Sequence, residues 1–201
     1  MFKRFMKKFV LIAAAFCFAS AVLAAEPAPL SVVRTTTNRM LSSLRANKSK
    51  LHNRKVIRNI VRRIVVPVMD VHAISRSVVG RRYWYQSSSS LRSSFVVEFT
   101  KYVTDMYSSA LSSYSNEKIS FRPIRSFSSN MQRVRVYSVI TRPGAPAITL
   151  NYRLVRHGSA WKIYDFSVDG VSMVQSYRSQ FASTLNKGGL ALLVKKLKVR
   201  G

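Results

Sequence analysis

The sequence predicts an α+β fold: N-terminal helices packed on a curved, mostly antiparallel sheet of about four strands, with C-terminal helices. Two changes of hydrophobic period carry this reading. Apolar residues recur at helical spacing from Leu30 to Tyr114, alternate from Ile119 to Val168, and return to helical spacing at Val171. Helices first, then a strand meander, then helix is an α+β order. A sheet covered on one side by helices leaves a hollow where its curvature draws away from them.

After a short Pro-containing leader, Ala25 to Pro29, the first helix is marked by Leu30, Val33, Thr37, Met40, Leu41 and Leu44. A second, basic helix turns Val56, Ile57, Ile60, Val61 and Ile64 inward and Arg54, Lys55, Arg58, Arg62 and Arg63 outward, and Pro67 ends it. Asp70 is a plausible N-cap for a short helix through Val71, Ile74 and Val78, which Gly80 terminates. Arg81 to Tyr85 reads as a connector, and Ser87 to Ser90 supplies caps for the next helix. That helix is the clearest in the chain and is expected to be the longest, with Leu91, Phe95, Phe99, Val103, Met106, Ala110 and Tyr114 on one side.

Strands follow at Ile119 to Pro123, Met131 to Ile140, Ala147 to Arg156 and Trp161 to Val168. Arg142-Pro143-Gly144-Ala145-Pro146 and His157-Gly158-Ser159 are turn chemistry, so neighbouring strands pair antiparallel. In the third strand Ile148, Leu150, Tyr152 and Leu154 alternate with Thr149, Asn151 and Arg153, giving one apolar face. The fourth is expected to carry Trp161 and Ile163 on one face and Tyr164, Phe166 and Val168 on the other. This pattern serves a packed core and a lined cavity equally. Asp169-Gly170 ends the strand, helix runs from Val171 to Leu185, breaks at Gly188-Gly189, and closes with the apolar-basic segment Leu190 to Leu197.

The N-terminus indicates export. Lys3, Arg4, Lys7 and Lys8 precede an apolar run from Phe9 to Leu23 that is short for a bilayer span, and Val22-Leu23-Ala24 suits cleavage after Ala24. Residues 1–24 are therefore expected to be a signal peptide and residues 25–201 a single domain. Cys17 lies inside the apolar run behind Phe16, which argues against a lipoprotein, and its loss leaves a chain without thiol or disulfide chemistry. Of 34 basic residues and seven acids, 30 and seven remain after cleavage, a net charge of +23. Alone, that charge suits nucleic acid or an anionic surface. An exported protein does not meet cytoplasmic nucleic acid, whereas Gram-negative envelopes present anionic lipid head groups.

Catalytic constellations are scarce. His52, His72 and His157 have no metal-ligand spacing, so no metal site is expected. Asp165 and Asp169 sit on a strand and its turn and do not converge as an acid–base pair must; Asp169 is expected to shape the turn and Asp165 to find a basic partner. No nucleophile elbow, phosphate-cradling glycine loop or dinucleotide fingerprint appears. No catalytic residue is assigned, and a binding module is favoured over an enzyme.

Several motifs together resemble the periplasmic phospholipid-binding family MlaC, also known for toluene tolerance. That family has a helix opened by Asp and closed by Leu-Gly-x-x-Trp/Tyr, then a Ser/Thr-rich cap, then a long helix ending Tyr-x-x-x-Leu-x-x-Tyr. The corresponding residues are Asp70, Val79-Gly80-Arg81-Arg82-Tyr83-Trp84, Leu91, Phe95, Phe99, Tyr107, Leu111 and Tyr114, with Val79 in place of the usual Leu. Ile148-Thr149-Leu150-Asn151-Tyr152-Arg153-Leu154 is similar to the family's alternating strand, and Trp161, Tyr164-Asp165 and Gly170-Val171-Ser172 are the most specific match. The likeness covers nearly all of the expected mature chain.

The resemblance implies a monomeric soluble carrier with an NTF2-like cone and an apolar cavity. It would ferry phospholipid across the periplasm between an outer-membrane lipoprotein–porin complex and an inner-membrane ABC transporter with an MCE-domain subunit. No cofactor beyond the transported phospholipid and no nucleic-acid partner is implied. Two acyl chains of about 16 carbons, at roughly 0.8 kcal/mol per buried methylene, are held by on the order of 25 kcal/mol against water. A carrier must therefore offer the tails a dry apolar lining and leave the head group wet. The candidates are Val136, Val139, Ile148, Leu150, Tyr152, Tyr164, Phe166, Val168, Val171 and Met173, with Phe121 and Trp84 near the rim. The competing readings are an NTF2-like periplasmic enzyme and a basic envelope protein that binds anionic surfaces without a pocket.

Overall fold

Caps place the helices. In this computed structural model, which describes residues 26–107, 111–112 and 117–200, helix α1 spans Ala28–Ala46 and buries Pro29, Leu30, Val33 and Leu44. Pro29 sits in its first turn, where a missing N–H costs nothing. The expected export segment and Tyr114 lie outside the described residues. Helix α2, Arg54–Ile64, starts where the Asn53 side chain accepts a hydrogen bond from the Lys55 N–H, and it buries Ile57 and Ile60. After a short 3-10 turn at Val66–Val68, Asp70 caps α3, Val71–Val79, by accepting from the Ala73 N–H at 2.9 Å. Gly80 ends α3 at φ +83°, a left-handed turn that glycine adopts without strain.

The expected connector at Arg81 is a short helix, α4, Arg81–Gln86. The turn at Gly80 leaves its carbonyl free to accept from the Trp84 N–H at 3.1 Å, which starts a new helical turn at once. Ser88 then caps α5, Ser89–Met106. The last helical segment, α6, Met173–Arg200, is two helical stretches joined through non-helical backbone at Gly188 and Gly189, where the sequence places a break. Among the described residues the longest uninterrupted helix is the 19-residue α1, one residue longer than the 18-residue α5.

Helices α3 to α6 share one core. Phe95 stacks on Phe99 with centroids 5.2 Å apart, and Tyr177 and Phe181 meet Phe99 edge-on at 5.2 and 5.9 Å. The kink at Gly188-Gly189 turns Leu190, Leu193, Val194 and Leu197 back into the same cluster. A second cluster joins α1 to α2 through Leu44, Leu51, Ile57 and Ile60. Arg58 grips Asp105 with two hydrogen bonds, 2.5 and 3.0 Å, and ties α2 to α5.

The sheet is a five-stranded antiparallel meander, one strand more than the sequence suggests: β1 Lys118–Phe121, β2 Arg133–Arg142, β3 Ala145–His157, β4 Ala160–Val168 and β5 Val171–Ser172. The extra strand is the two residues read as the start of a helix. Asp169 and Gly170 both have positive φ, 47° and 84°, the two-residue turn whose twist matches that of paired strands. Val171 and Ser172 therefore pair back on Val168 and Ser167 before the helix begins. The turn is pinned to β3, because the Thr149 N–H donates to Asp169 Oδ1 at 2.8 Å while the Asp169 N–H donates to the Thr149 carbonyl.

A second departure lies within β4. Arg153 pairs with Asp165 and Leu154 with Ile163, so Tyr164 is an extra residue, a β-bulge. The bulge resets the alternation: Ile163 and Phe166, expected on opposite faces, both join the face of Leu154 and Tyr152. On that face α1 packs Leu30 and Val33 against Val134, Val136, Leu154, Trp161 and Ile163.

Asp165 points to the other face and is 5% exposed. Its carboxylate accepts from Ser172 Oγ at 2.8 Å and from the Val174 N–H at 3.3 Å, and Arg153 lies 3.4 Å away, the basic partner expected from sequence. Ser172 Oγ accepts in turn from the Gln175 N–H at 3.2 Å, so the two side chains together cap α6. Replacing Asp165 with Ala should cost about 2–4 kcal/mol in urea unfolding, since it leaves buried donors unsatisfied and a cap missing. Asp165→Asn, which keeps an acceptor, should cost less.

Tyr177 makes a second prediction. Burial first, and then the nearby Tyr107 and Tyr102, push its hydroxyl well above the ordinary tyrosine range. The folded chain holds this group neutral where the unfolded chain ionises it. Its contribution to stability is thus complete below pH about 10 and falls as pH rises beyond that value. Tyr177→Phe should flatten the alkaline fall in the unfolding free energy.

Candidate functional site

Strand register assembles an apolar surface in rows. Directly opposed residues share a face, so Ile119, Ile140 and Ile148 form one row, and Phe121, Ser138, Leu150, Val168 and Val171 the next. Val136, Tyr152 and Phe166 form a third, and Val134, Leu154 and Ile163 a fourth. Burial grades along this surface. The fourth row is buried beneath α1, and Val136 and Ser138 are fully buried, while Ile119, Ile140, Ile148, Leu150, Phe166, Val168 and Phe121 remain half-buried. The half-buried part is aliphatic and aromatic, and no charged residue occupies the four rows.

Tyr152 sits between the two regimes. Burial raises the pKa of its hydroxyl, partly offset by the neighbouring Ser138 and Thr37 hydroxyls, which places the middle of α1 over this row. The ring thus presents an apolar body with its polar tip satisfied at the helix.

Of the twelve residues singled out from sequence, seven come together here with half or more of their surface covered or shared: Phe121, Val136, Ile148, Leu150, Tyr152, Phe166 and Val168. Val171 extends their second row at the β4–β5 hairpin and is 59% exposed. Val139 lies on the opposite face, beside Thr149 and Ser120. Tyr164 occupies the bulge, with the Arg133 guanidinium 5.9 Å from its ring centre. Trp84 is buried in the helical core, with Arg92 over its indole, and Met173 packs on that same core and meets the Tyr107 hydroxyl at 3.6 Å.

On the other side of β3 and β4, sequence reasoning missed a polar cleft of about 540 Å³. Arg76 of α3, Arg81 of α4, Arg153 of β3 and Arg178 of α6 converge on it, with Tyr85, Tyr164 and Asp165. These arginines are scattered over a hundred residues of chain, so no local pattern marks them. Among the described residues, no group of three or more His, Cys, Asp or Glu side chains is placed to hold a metal ion. No described helix is long and apolar enough to cross a membrane.

Comparison with known proteins agrees with the fold and the motifs. The chain is 28% identical over 177 residues to the intermembrane phospholipid transport system binding protein MlaC of Haemophilus influenzae, covering 86% of this chain and 82% of that protein. It is also 28% identical over 166 residues to the toluene tolerance protein ttg2D of Pseudomonas putida, covering 82% and 76% respectively. Among solved structures it superposes with a TM-score of 0.78 on the phospholipid-binding protein from Ralstonia solanacearum in complex with a phospholipid. That match has 24% identity and covers 85% of this chain and 95% of the other, and it establishes a shared fold. The family model described as MlaC protein matches residues 34–199, nearly the whole of the described chain, and on that extent of match the protein belongs to the MlaC family.

Proposed function

We propose that this protein is a periplasmic phospholipid carrier that holds acyl chains against the half-buried rows of its sheet. The observation that carries the reading is the continuous uncharged surface formed by Phe121, Ile148, Leu150, Tyr152, Phe166 and Val168, which runs out from beneath α1 without being sealed by it. Half-covered apolar surface of this kind costs free energy in water at about 25 cal/mol per Å², and an acyl chain removes that cost. The lipid-bound relative of the same fold and the phospholipid transport relative support the same class of ligand.

In this reading the protein is exported by cleavage after Ala24 and acts without a catalytic residue or a cofactor. It passes lipid between an outer-membrane lipoprotein–porin complex and an inner-membrane ABC transporter bearing an MCE-domain subunit. Aliphatic and aromatic contact is non-directional, so tails slide along the rows with no polar hook to break on unloading. That suits a protein that must release what it binds.

Solvent extraction of protein purified under mild conditions should yield near-stoichiometric phospholipid. Leu150→Glu or Val168→Glu should lower that loading at least several-fold while the circular dichroism spectrum stays unchanged, because neither side chain is fully buried and the new carboxylate can reach solvent at the edge of the surface. Full loading of both variants would remove the assignment of these rows. Lipid-free protein that binds anionic vesicles only at low salt would instead favour attraction to charged surfaces.

A further inference from the structure

We propose that the arginine-lined cleft is a second binding site, built for a phosphate-bearing anion and separate from the apolar rows. Four guanidinium groups from four different elements face one carboxylate there, and that carboxylate, Asp165, is already engaged by Ser172, the Val174 N–H and Arg153. Among the described residues no carboxylate lies within ion-pair distance of Arg76, Arg81 or Arg178. The Nε of Arg153 is buried without a hydrogen-bond partner. Such a donor is costly to leave unmatched in a low-dielectric setting.

The sheet adds to the imbalance. Arg135 lies directly opposite Arg153 on this face, and like charges opposed across strands are unfavourable. Arg133, one pair further along, stands over Tyr164. The Arg178 guanidinium lies close over the α3–α4 turn, with Nη2 3.7 Å from where a Cβ at Gly80 would stand. Converging planar forks match the tetrahedral oxygens of a phosphate ester, which accept two parallel hydrogen bonds from each guanidinium. The cleft volume of about 540 Å³ admits a phosphate with its ester substituent. Because it opens on the face of β3 and β4 opposite the apolar rows, its ligand is either a free phosphate ester or the phosphate of an anionic lipid presented by a membrane surface.

The test must separate this cleft from the general basicity of the chain. Arg76→Gln/Arg178→Gln removes two exposed cleft arginines, and Arg62→Gln/Arg63→Gln removes two exposed arginines of α2 as an equal-charge control. Calorimetric titration with glycerol 3-phosphate and inorganic phosphate reads the free-anion source. Cosedimentation with phosphatidylglycerol–phosphatidylcholine vesicles, against phosphatidylcholine alone, reads the head-group source. The cleft variant should lose about tenfold in affinity in at least one arm, corresponding to about 1.4 kcal/mol, while the control loses less than about twofold. Loss in the calorimetric arm identifies a free phosphate ester, and loss confined to the vesicle arm identifies a membrane lipid. Equal behaviour of both variants in both arms, or no binding by the unaltered protein, overturns the proposal. Extracted phospholipid measured on the same samples should be unchanged in both variants, so that failure of the cleft and failure of the tail-binding rows are read separately.

Discussion

One inserted residue organises both faces of this sheet. Without the bulge at Tyr164, β4 would keep strict alternation, and Ile163 and Phe166 would fall on opposite sides. The apolar surface would then stop halfway along the strand, or Asp165 would be driven into it. With the bulge, the apolar set on β4 continues from Trp161 and Ile163 to Phe166 and Val168, and Asp165 turns to the face where Arg153, Ser172 and α6 wait. A hydrophobic wall and a polar junction thus sit back to back on a single strand. The register that serves one also serves the other.

The junction links the two cores. The sheet buries its residues against α1, while α3 to α6 bury their aromatics among themselves. Contact between them runs along the outer edge of β4. There the Asp70 N–H donates to the Ile163 carbonyl at 2.8 Å, His157 meets Asp70 at 2.9 Å, and Asp165 caps α6. The carboxylates at this seam, Asp70 and Asp165, are committed to partners within it. The half-buried rows of the sheet are apolar and their contacts non-directional, while the seam that fixes the two cores together is hydrogen-bonded.

Much of this was legible in the sequence because local rules decide it. Asp70, Ser88 and Gly80 mark helix ends by the hydrogen bonds and backbone angles they permit, and Gly188-Gly189 breaks a helix wherever it lies. The apolar face of β3 follows from alternation alone. The bulge was not legible, since Tyr164 is a good strand residue and nothing beside it signals an extra position. The two-residue strand β5 was missed because Val171 and Ser172 suit helix and strand equally, and only the turn conformation at Asp169-Gly170 decides. Trp84 and Met173 are apolar at positions compatible with a pocket, yet the helical core claims them, a choice made by packing among segments distant in sequence. The arginine cleft is likewise an assembly of α3, α4, β3 and α6 with no linear signature.

The kink at Gly188-Gly189 has a consequence for the order in which the core can close. Leu190, Leu193, Val194 and Leu197 fold back onto Phe99, Tyr177 and Phe181, so the helical core is completed by a segment that follows every strand of the sheet. A polypeptide emerging N-terminus first cannot seal this core until that segment has followed the sheet out. Until then its aromatic cluster lacks a wall. The helical core therefore closes only after the whole sheet is available to pair.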